Sequence, residues 1–316
     1  MKVRALHTHE WDRFFQWSEQ CGGVFTSHAW LSSLGENIRL FVVENEQKWE
    51  AGFAAYVGGK MGVKTLITPP YTPHIGLFSE QKQKDGAKQL DYQKKILTAI
   101  SIWLKSVPYA YFKLDLPTEW RDTQPFTWNK QTVTVRYTYQ LELKKTEDEL
   151  LTQMDSKLRN MINKAERDEM SLSFDYNEAA LDQLILSFLG EKNIAHQSLL
   201  KQLLHNTNLS KKAIQVSIRK ENKTSYTNYL LPDGEKMYYL FGAKSKEEVA
   251  NHYGPLGVWE GIKKAKAQGF RLFDFEGSMI PTIEKFFRGF GGDLVPFYTI
   301  SGGKGVWSFF FKRRYK

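Results

Sequence analysis

Two carboxylates one residue apart, Asp274 and Glu276, stand where an apolar run meets the break Gly277-Ser278. Carboxylates there can hold an amine and take up a proton, and backbone N–H groups bared by a sharp turn can meet an anion. Other stretches carry side chains suited to binding. The loop Pro69-Pro-Tyr-Thr-Pro-His-Ile-Gly76 is stiffened by three prolines and bears Tyr71 and His74, which either line a pocket or decorate a surface loop. His252 and Tyr253 precede Gly254-Pro-Leu-Gly257 at the expected start of a helix, where N–H groups can meet a phosphate. A helix further back carries Lys157, Arg159, Lys164 and Arg167 on one face, which is either solvated or anion-binding. Several chemistries drop out. There is no G-x-S-x-G and no H-E-x-x-H, and the seven histidines lack metal-ligand spacing, so no metal is expected.

The elements that must position these groups follow from periodicity. Phe270–Phe275 reads as a strand with apolar residues on both faces, hence central in a sheet. Ser278 or Thr282 caps the next helix, Pro281 suits its first turn, and Ile283, Phe286, Phe287 and Phe290 recur at helical spacing before Gly289, Gly291 and Gly292 end it. Earlier in the chain, Glu10–Glu19 and a segment capped by Thr26 or Ser27 read as helices. Arg39–Glu44 and Trp49–Val57 read as a hairpin turning at Asn45–Lys48, and Val63–Thr68 as a third strand. A helix over Asp85–Lys105 and a strand over Tyr109–Leu116 complete a first domain, residues 1–130.

The second domain, 131–316, opens on a strand over Thr132–Leu143. One long helix follows, capped by Thr146 with Glu149 at the capping-box position and an apolar stripe from Leu150 to Ala165. Then come a strand over Leu172–Tyr176, two helices within Asn177–Asn208, and strands over Ala213–Lys220, Thr224–Leu231 and Lys236–Ala243, with Pro232-Asp-Gly234 as a turn. A helix runs to Gln268-Gly269, and after the Phe270–Gly292 stretch Val295–Ile300 and Gly305–Phe311 close the sheet. Both halves thus order helices, hairpin, helix and strand alike, with no repeat at the residue level.

Composition sets the outer bounds. With 316 residues, 41% of them hydrophobic, the chain can bury a core without staples. Lys and Arg exceed Asp and Glu by 44 to 35, and a net charge of +9 suits an anionic partner or simple solubility. Cys21 is the only cysteine, which excludes an intrachain disulfide and fits a reducing cytoplasm. No apolar run spans a membrane, and the first residues lack a signal-peptide core. The C-terminal Phe309-Phe-Phe-Lys-Arg-Arg-Tyr-Lys316 is a closing strand with a basic tail, or a contact with the inner face of a membrane.

Three stretches together resemble the Fem-like proteins, relatives of the GNAT acyltransferases. Phe25-Thr-Ser-His-Ala-Trp-Leu31 resembles their N-terminal signature, and Ser156-Lys-Leu-Arg-Asn-Met-Ile-Asn-Lys-Ala165 the helix opening their second domain. Trp259–Gly269, followed by Asp274-Phe-Glu-Gly-Ser278 and Phe286-Phe-Arg-Gly-Phe-Gly-Gly292, resembles their last helix–strand–helix. The resemblance implies an α/β fold of mixed sheets in two tandem GNAT-like domains. It implies direct N-acyl transfer without a covalent intermediate, from acyl-CoA or aminoacyl-tRNA to an amine of a cell-envelope or polysaccharide precursor. That acceptor is lipid-linked in some members. Where the tRNA-dependent enzymes carry a lysine in the final helix this chain has Phe287, between Phe286 and Arg288, which points to a different acceptor.

Acyl transfer to an amine requires a proton acceptor, a stabilised carbonyl oxygen and close placement of both partners. On this reading Glu276 is the general base or binds the acceptor amine, unless it merely pairs with a lysine. Ser278 donates to the oxyanion or caps the helix. Arg288, with Lys285 beside it, binds a carboxylate or phosphate, His252 and Tyr253 meet the donor's phosphate or thioester oxygen, and His74 serves from the first half. Tyr239 and Tyr298 protonate the leaving thiol or hydroxyl, or are core tyrosines. A non-catalytic module of the same fold, binding RNA or an anionic lipid surface, is the alternative; no reading involves DNA.

Overall fold

The first strand, β1 (Lys2–Ala5), pairs antiparallel with β2 (Ile38–Asn45), and between them run the helices α1 (Trp11–Cys21) and α2 (His28–Ser32). The computed structural model describes residues 1–60, 62–80, 86–189, 194–221, 223–245, 252–277 and 279–304. They divide into two units: Met1–Arg136 with the residues from Pro296 on, and Tyr137–Val295.

In the first unit Phe14 and Phe15 turn the buried face of α1 inward, and Ser27 caps α2 by accepting from the Trp30 N–H. Glu46 and Gln47, both left-handed (φ 47° and 69°), form the two-residue turn from β2 into β3 (Lys48–Lys60). After β4 (Val63–Ile67) and the short β5 (Phe78–Ser79), helix α3 (Gly86–Ser106) crosses over to β6 (Tyr111–Asp115), which pairs parallel with β4. A short α4 (Gln124–Trp128) follows. Phe41, Phe53, Ile96, Ile100, Leu114 and Phe126 form the centre of this unit's core.

The second unit takes up β7 (Thr132–Glu142) from Tyr137. Then come α5 (Glu147–Gln153), α6 (Ser156–Ala165), β8 (Ser171–Ser173), α7 (Glu178–Leu189), α8 (Ile194–Leu204) and α9 (Thr207–Ser210). The meander β9 (Ile214–Lys220), β10 (Lys223–Asp233) and β11 (Lys236–Lys244) is antiparallel. Helix α10 (Tyr253–Ala267) crosses over to β12 (Leu272–Asp274), which pairs parallel with β11 and antiparallel with β7. Helix α11 (Pro281–Arg288) and the last strand, β13 (Asp293–Gly303), follow. The Phe275 ring packs tilted against Phe287 and Phe290, with centroids 5.3 and 5.4 Å away. Each such buried ring contributes about 2–3 kcal/mol of transfer free energy.

Several expectations are corrected. The single helix expected from Thr146 to Ala165 is two. Met154 is extended (ψ 153°) and Asp155 starts a new helix by accepting from the Lys157 N–H, while its own N–H donates to Gly289 O. The apolar stripe runs on across the break, so periodicity alone hid it. Helix α11 is preceded by Ile280 as N-cap with no side-chain cap; Thr282 lies inside it and Ser278 falls outside the described residues. Ile283 is 39% exposed and so leaves the expected buried stripe. Pro232 and Asp233 belong to β10, which turns instead at Gly234-Glu235. The sequence placed everything after 130 in the second domain, yet Thr299–Gly303 of β13 pair with Tyr111–Asp115 of β6 and so join the first unit. The expected strand Gly305–Phe311 and the basic tail lie outside the described residues.

Candidate functional site

At the end of β12, Asp274 is 2% exposed and fully committed. Its Oδ1 accepts from Thr138 Oγ1 (2.6 Å) and from the Glu276 N–H (2.9 Å), and its Oδ2 from Gln140 Nε2 (2.7 Å). Burial still pushes this carboxyl above its ordinary value. Glu276 and Gly277 are both left-handed, with φ of 58° and 68°. At Gly277 the chain comes so close to β7 that a Cβ would lie 2.0 Å from Tyr137 O, so only glycine fits. Glu276 has no such exemption and stores on the order of 1–2 kcal/mol of backbone strain. Its residue is half-buried, but Oε1 is sealed from solvent and has no hydrogen-bond partner among the described residues. Burial, with the Asp274 charge beside it, holds the Glu276 carboxyl well above the usual carboxylate range. A carboxyl raised in this way holds a proton more readily than a free glutamate does.

Across from it, β12 accompanies β11 only where Lys236–Tyr238 pair with Leu272–Asp274, and β11 runs on to Lys244. Past the last pair, Tyr229 faces Phe241 while Leu230 faces Tyr239, which leaves Leu240 as an extra residue. Such a bulge bends its strand and turns the local backbone. Tyr239, buried, shares a 3.0 Å hydrogen bond with Tyr226 and packs its ring on Phe287. Burial raises Tyr226 to about 12 and Tyr239 well above its ordinary value, so both hold their protons.

His252 and Tyr253 meet at Asp168, beyond the end of α6. His252 Nε2 lies 2.6 Å from Asp168 Oδ2, and Tyr253 donates to the same oxygen at 2.9 Å. These contacts hold the Asp168 carboxyl below its usual range and tie the start of α10 to α6. Both side chains thus anchor the helix. Asp168 gave no signal in the sequence beyond a polar turn.

A cleft of about 580 Å³ opens between α6 and α11. Leu158, Met161, Pro255 and Phe286 form its apolar part, and Lys157, Lys285 and Arg288 its cations. Asp155 lines it too, with its Oδ1 committed to the Lys157 N–H. The helices approach because Gly289 lacks a side chain: a Cβ there would lie 2.5 Å from Leu158 Cδ1. Glu284 accepts from Tyr139 Oη (2.6 Å) and Arg288 Nε (2.8 Å), which orients the guanidinium. Lys285 and Arg288 are therefore brought together. Glu276, Tyr239 and Arg159 do not line this cleft, and Arg159 is half-buried on α6.

Tyr71 and His74 belong to the first unit. Tyr71 is left-handed (φ 59°) and half-buried, and burial raises its hydroxyl. His74 Nδ1 accepts from the Gly76 N–H at 3.0 Å while its ring edges onto Phe25. Trp30 Nε1 donates to Thr72 at 2.9 Å, and Ile75 bonds to Asp115 O and the Ala54 N–H, so the proline loop is pinned at several points. Among the described residues no group of three or more His, Cys, Asp or Glu side chains could hold a metal, and no described helix is long and apolar enough to cross a membrane.

By sequence the chain matches no protein-family model and no curated protein. By structure it is similar to FemX, at 14% identity and TM-score 0.60, over 94% of this chain and 97% of that one. It is similar to a tandem GNAT protein from the clavulanic acid biosynthesis pathway, at 9% identity and TM-score 0.55, over 96% and 98%. The C-terminal domain of a putative lysylphosphatidylglycerol synthetase from Agrobacterium fabrum is similar at 9% identity and TM-score 0.56, over 97% and 96%. The fold is accordingly the tandem GNAT fold that the sequence resemblance implied.

Proposed function

We propose that this chain is an N-acyltransferase whose second unit moves an acyl or aminoacyl group from a CoA thioester or an aminoacyl-tRNA ester to an amine of a cell-envelope or polysaccharide precursor. One observation carries the reading: β11 and β12 part after Tyr238 and Asp274, with a bulge at Leu240 on one limb and the sealed carboxyl of Glu276 just past the end of the other. An extended, amide-bearing donor arm can lie along a strand edge as another strand would. The sharing of this fold with FemX, a tandem GNAT protein and the C-terminal domain of a putative lysylphosphatidylglycerol synthetase supports the same class of reaction.

In this mechanism the amine nitrogen attacks the carbonyl carbon, a C–N bond forms, and the C–S or C–O bond to the carrier breaks. Glu276 accepts the proton that the amine loses. Tyr239, relayed by Tyr226, returns a proton to the leaving sulfur or oxygen. Ser278 is the proposed donor to the carbonyl oxygen, and the N–H groups opening α10 take the donor's phosphates. The test is thiol release from a panel of acyl-CoA donors and deacylation of charged tRNA, with amino sugars and lipid-linked amines as acceptors. Turnover abolished by Glu276→Gln is the expected result. The absence of turnover with every donor, together with no donor-dependent slowing of hydrogen exchange in β11, would overturn the proposal. The cationic cleft favours a second reading, a binding module without turnover, whose salt-sensitive retention on RNA or vesicles would be indifferent to Glu276→Ala.

A further inference from the structure

We propose that the cleft between α6 and α11 docks the phosphate head of an anionic phospholipid in a bilayer, so that this face of the second unit rests on a membrane surface. The inference stands on the cleft alone and needs no acyl transfer. Its first support is charge. Lys157, Lys285 and Arg288 face one carboxylate, Asp155, whose Oδ1 is already bound to the Lys157 backbone N–H. Arg288 spends only Nε on Glu284, so its two terminal nitrogens remain to fork onto a phosphate, and Lys285 has no ion-pair partner among the described residues.

The second support is the apolar part. A bare phosphate needs only donors, yet Leu158, Met161 and Phe286 line a volume of about 580 Å³, room for a head group and the first methylenes of its chains. The third is what lies beside it. Met279, Ile280 and Ile283, at the start of α11, are 56%, 55% and 39% exposed. Single exposed apolar side chains are ordinary, but three within five residues beside a cationic cleft form the pattern of a helix lying at a lipid interface. Nucleic acid would leave both apolar features without a partner.

The test is sedimentation of the full chain with vesicles of phosphatidylcholine alone and with 30% phosphatidylglycerol added. Binding is expected to the mixed vesicles and to be at least tenfold weaker to the neutral ones. The double variant Lys157→Glu, Lys285→Glu should lower binding on the order of 100-fold, and Ile283→Ser severalfold, with circular dichroism unchanged. Lys105→Glu with Lys130→Glu, the same charge change on the first unit, should have little effect. Equal loss in both double variants would assign the binding to net charge and overturn the proposal. Equally decisive against it would be loss only when Lys312, Arg313 and Arg314 are replaced by Ser, or full displacement from the vesicles by millimolar glycerol phosphate.

Discussion

The two units share one frame and differ at one place. In the first, strands run in the order β1-β2-β3-β4-β6-β13, and in the second β8-β9-β10-β11-β12-β7, each with a single parallel pair joined by a crossover helix. Both crossover strands end on an aspartate held by threonine: Asp115 by Thr68 and Thr299, Asp274 by Thr138. The frames then diverge. Past their aspartates both chains keep one bond to the antiparallel neighbour, Leu116 N–H to Tyr298 O and Phe275 N–H to Tyr139 O, but in the first unit the Thr68 N–H past β4 also bonds to Lys113 O and keeps that side of the frame closed. After Asp274 the chain turns through two left-handed residues, and β11 runs on beyond its partner. The aspartate therefore belongs to the scaffold, and the chemistry is sought where the second frame opens.

The largest test of this contrast is catalytic. Glu276→Gln should lower kcat at least about 100-fold, the range for a general base, while Asp115→Asn in the closed frame should leave kcat unchanged. Next is the turn. Gly277→Val should cost more than about 3 kcal/mol and lower the melting temperature by roughly 10 °C, because it adds both a clash and a strained φ. Gly35→Ala in the first unit, at φ 82° but with nothing within 4 Å, should cost only about 1 kcal/mol. Equal effects would show the close approach at Gly277 to be irrelevant.

Acid and base should separate the units by sign. Asp274 and Glu276 have raised values in the folded state, so the folded chain holds more protons than the unfolded one. Their contribution is full in acid and declines as pH rises above the ordinary carboxylate value. Glu10 in the first unit is instead lowered to about 2, chiefly by its hydrogen bond from Arg4, so its contribution is present above about pH 4.5 and is lost as pH falls toward 2. Hydrogen exchange between pH 3 and 7 should show opposite trends in the two units, with Glu276→Gln flattening the second. Smallest are two matched hydrogen bonds: Tyr239→Phe and Thr72→Val should each cost about 1–2 kcal/mol, and only the former should also lower kcat.

What could be read from sequence was local. The turn at Asn45–Lys48, the Ser27 cap and the capping box of Thr146 with Glu149 lie within a few residues; the caps form as their residue types require, while the turn follows from a polar break between two strands and takes Glu46 and Gln47 left-handed. Phe270–Phe275 did contain a central strand, because it is apolar on both faces. The break at Met154-Asp155 interrupts no local pattern because its partner, Gly289 O, is far along the chain. The anchoring role of His252 and Tyr253 is equally non-local, since their partner Asp168 lies more than eighty residues away.

The amino-acid order by itself determined most of the helices and strands, the caps at Ser27 and Thr146, the turn between β2 and β3, and that the elements alternate as a mixed α/β fold. These are choices made by short-range sterics and hydrogen bonds. Tertiary structure decided that β13 enters the first unit and that β11 outruns β12. It also placed Gly277 against Tyr137 O, which bends the chain and shuts Glu276 Oε1 away from water. A carboxyl's proton affinity depends on which charges and how much solvent surround it, and in a folded chain most of those neighbours come from elsewhere in the sequence.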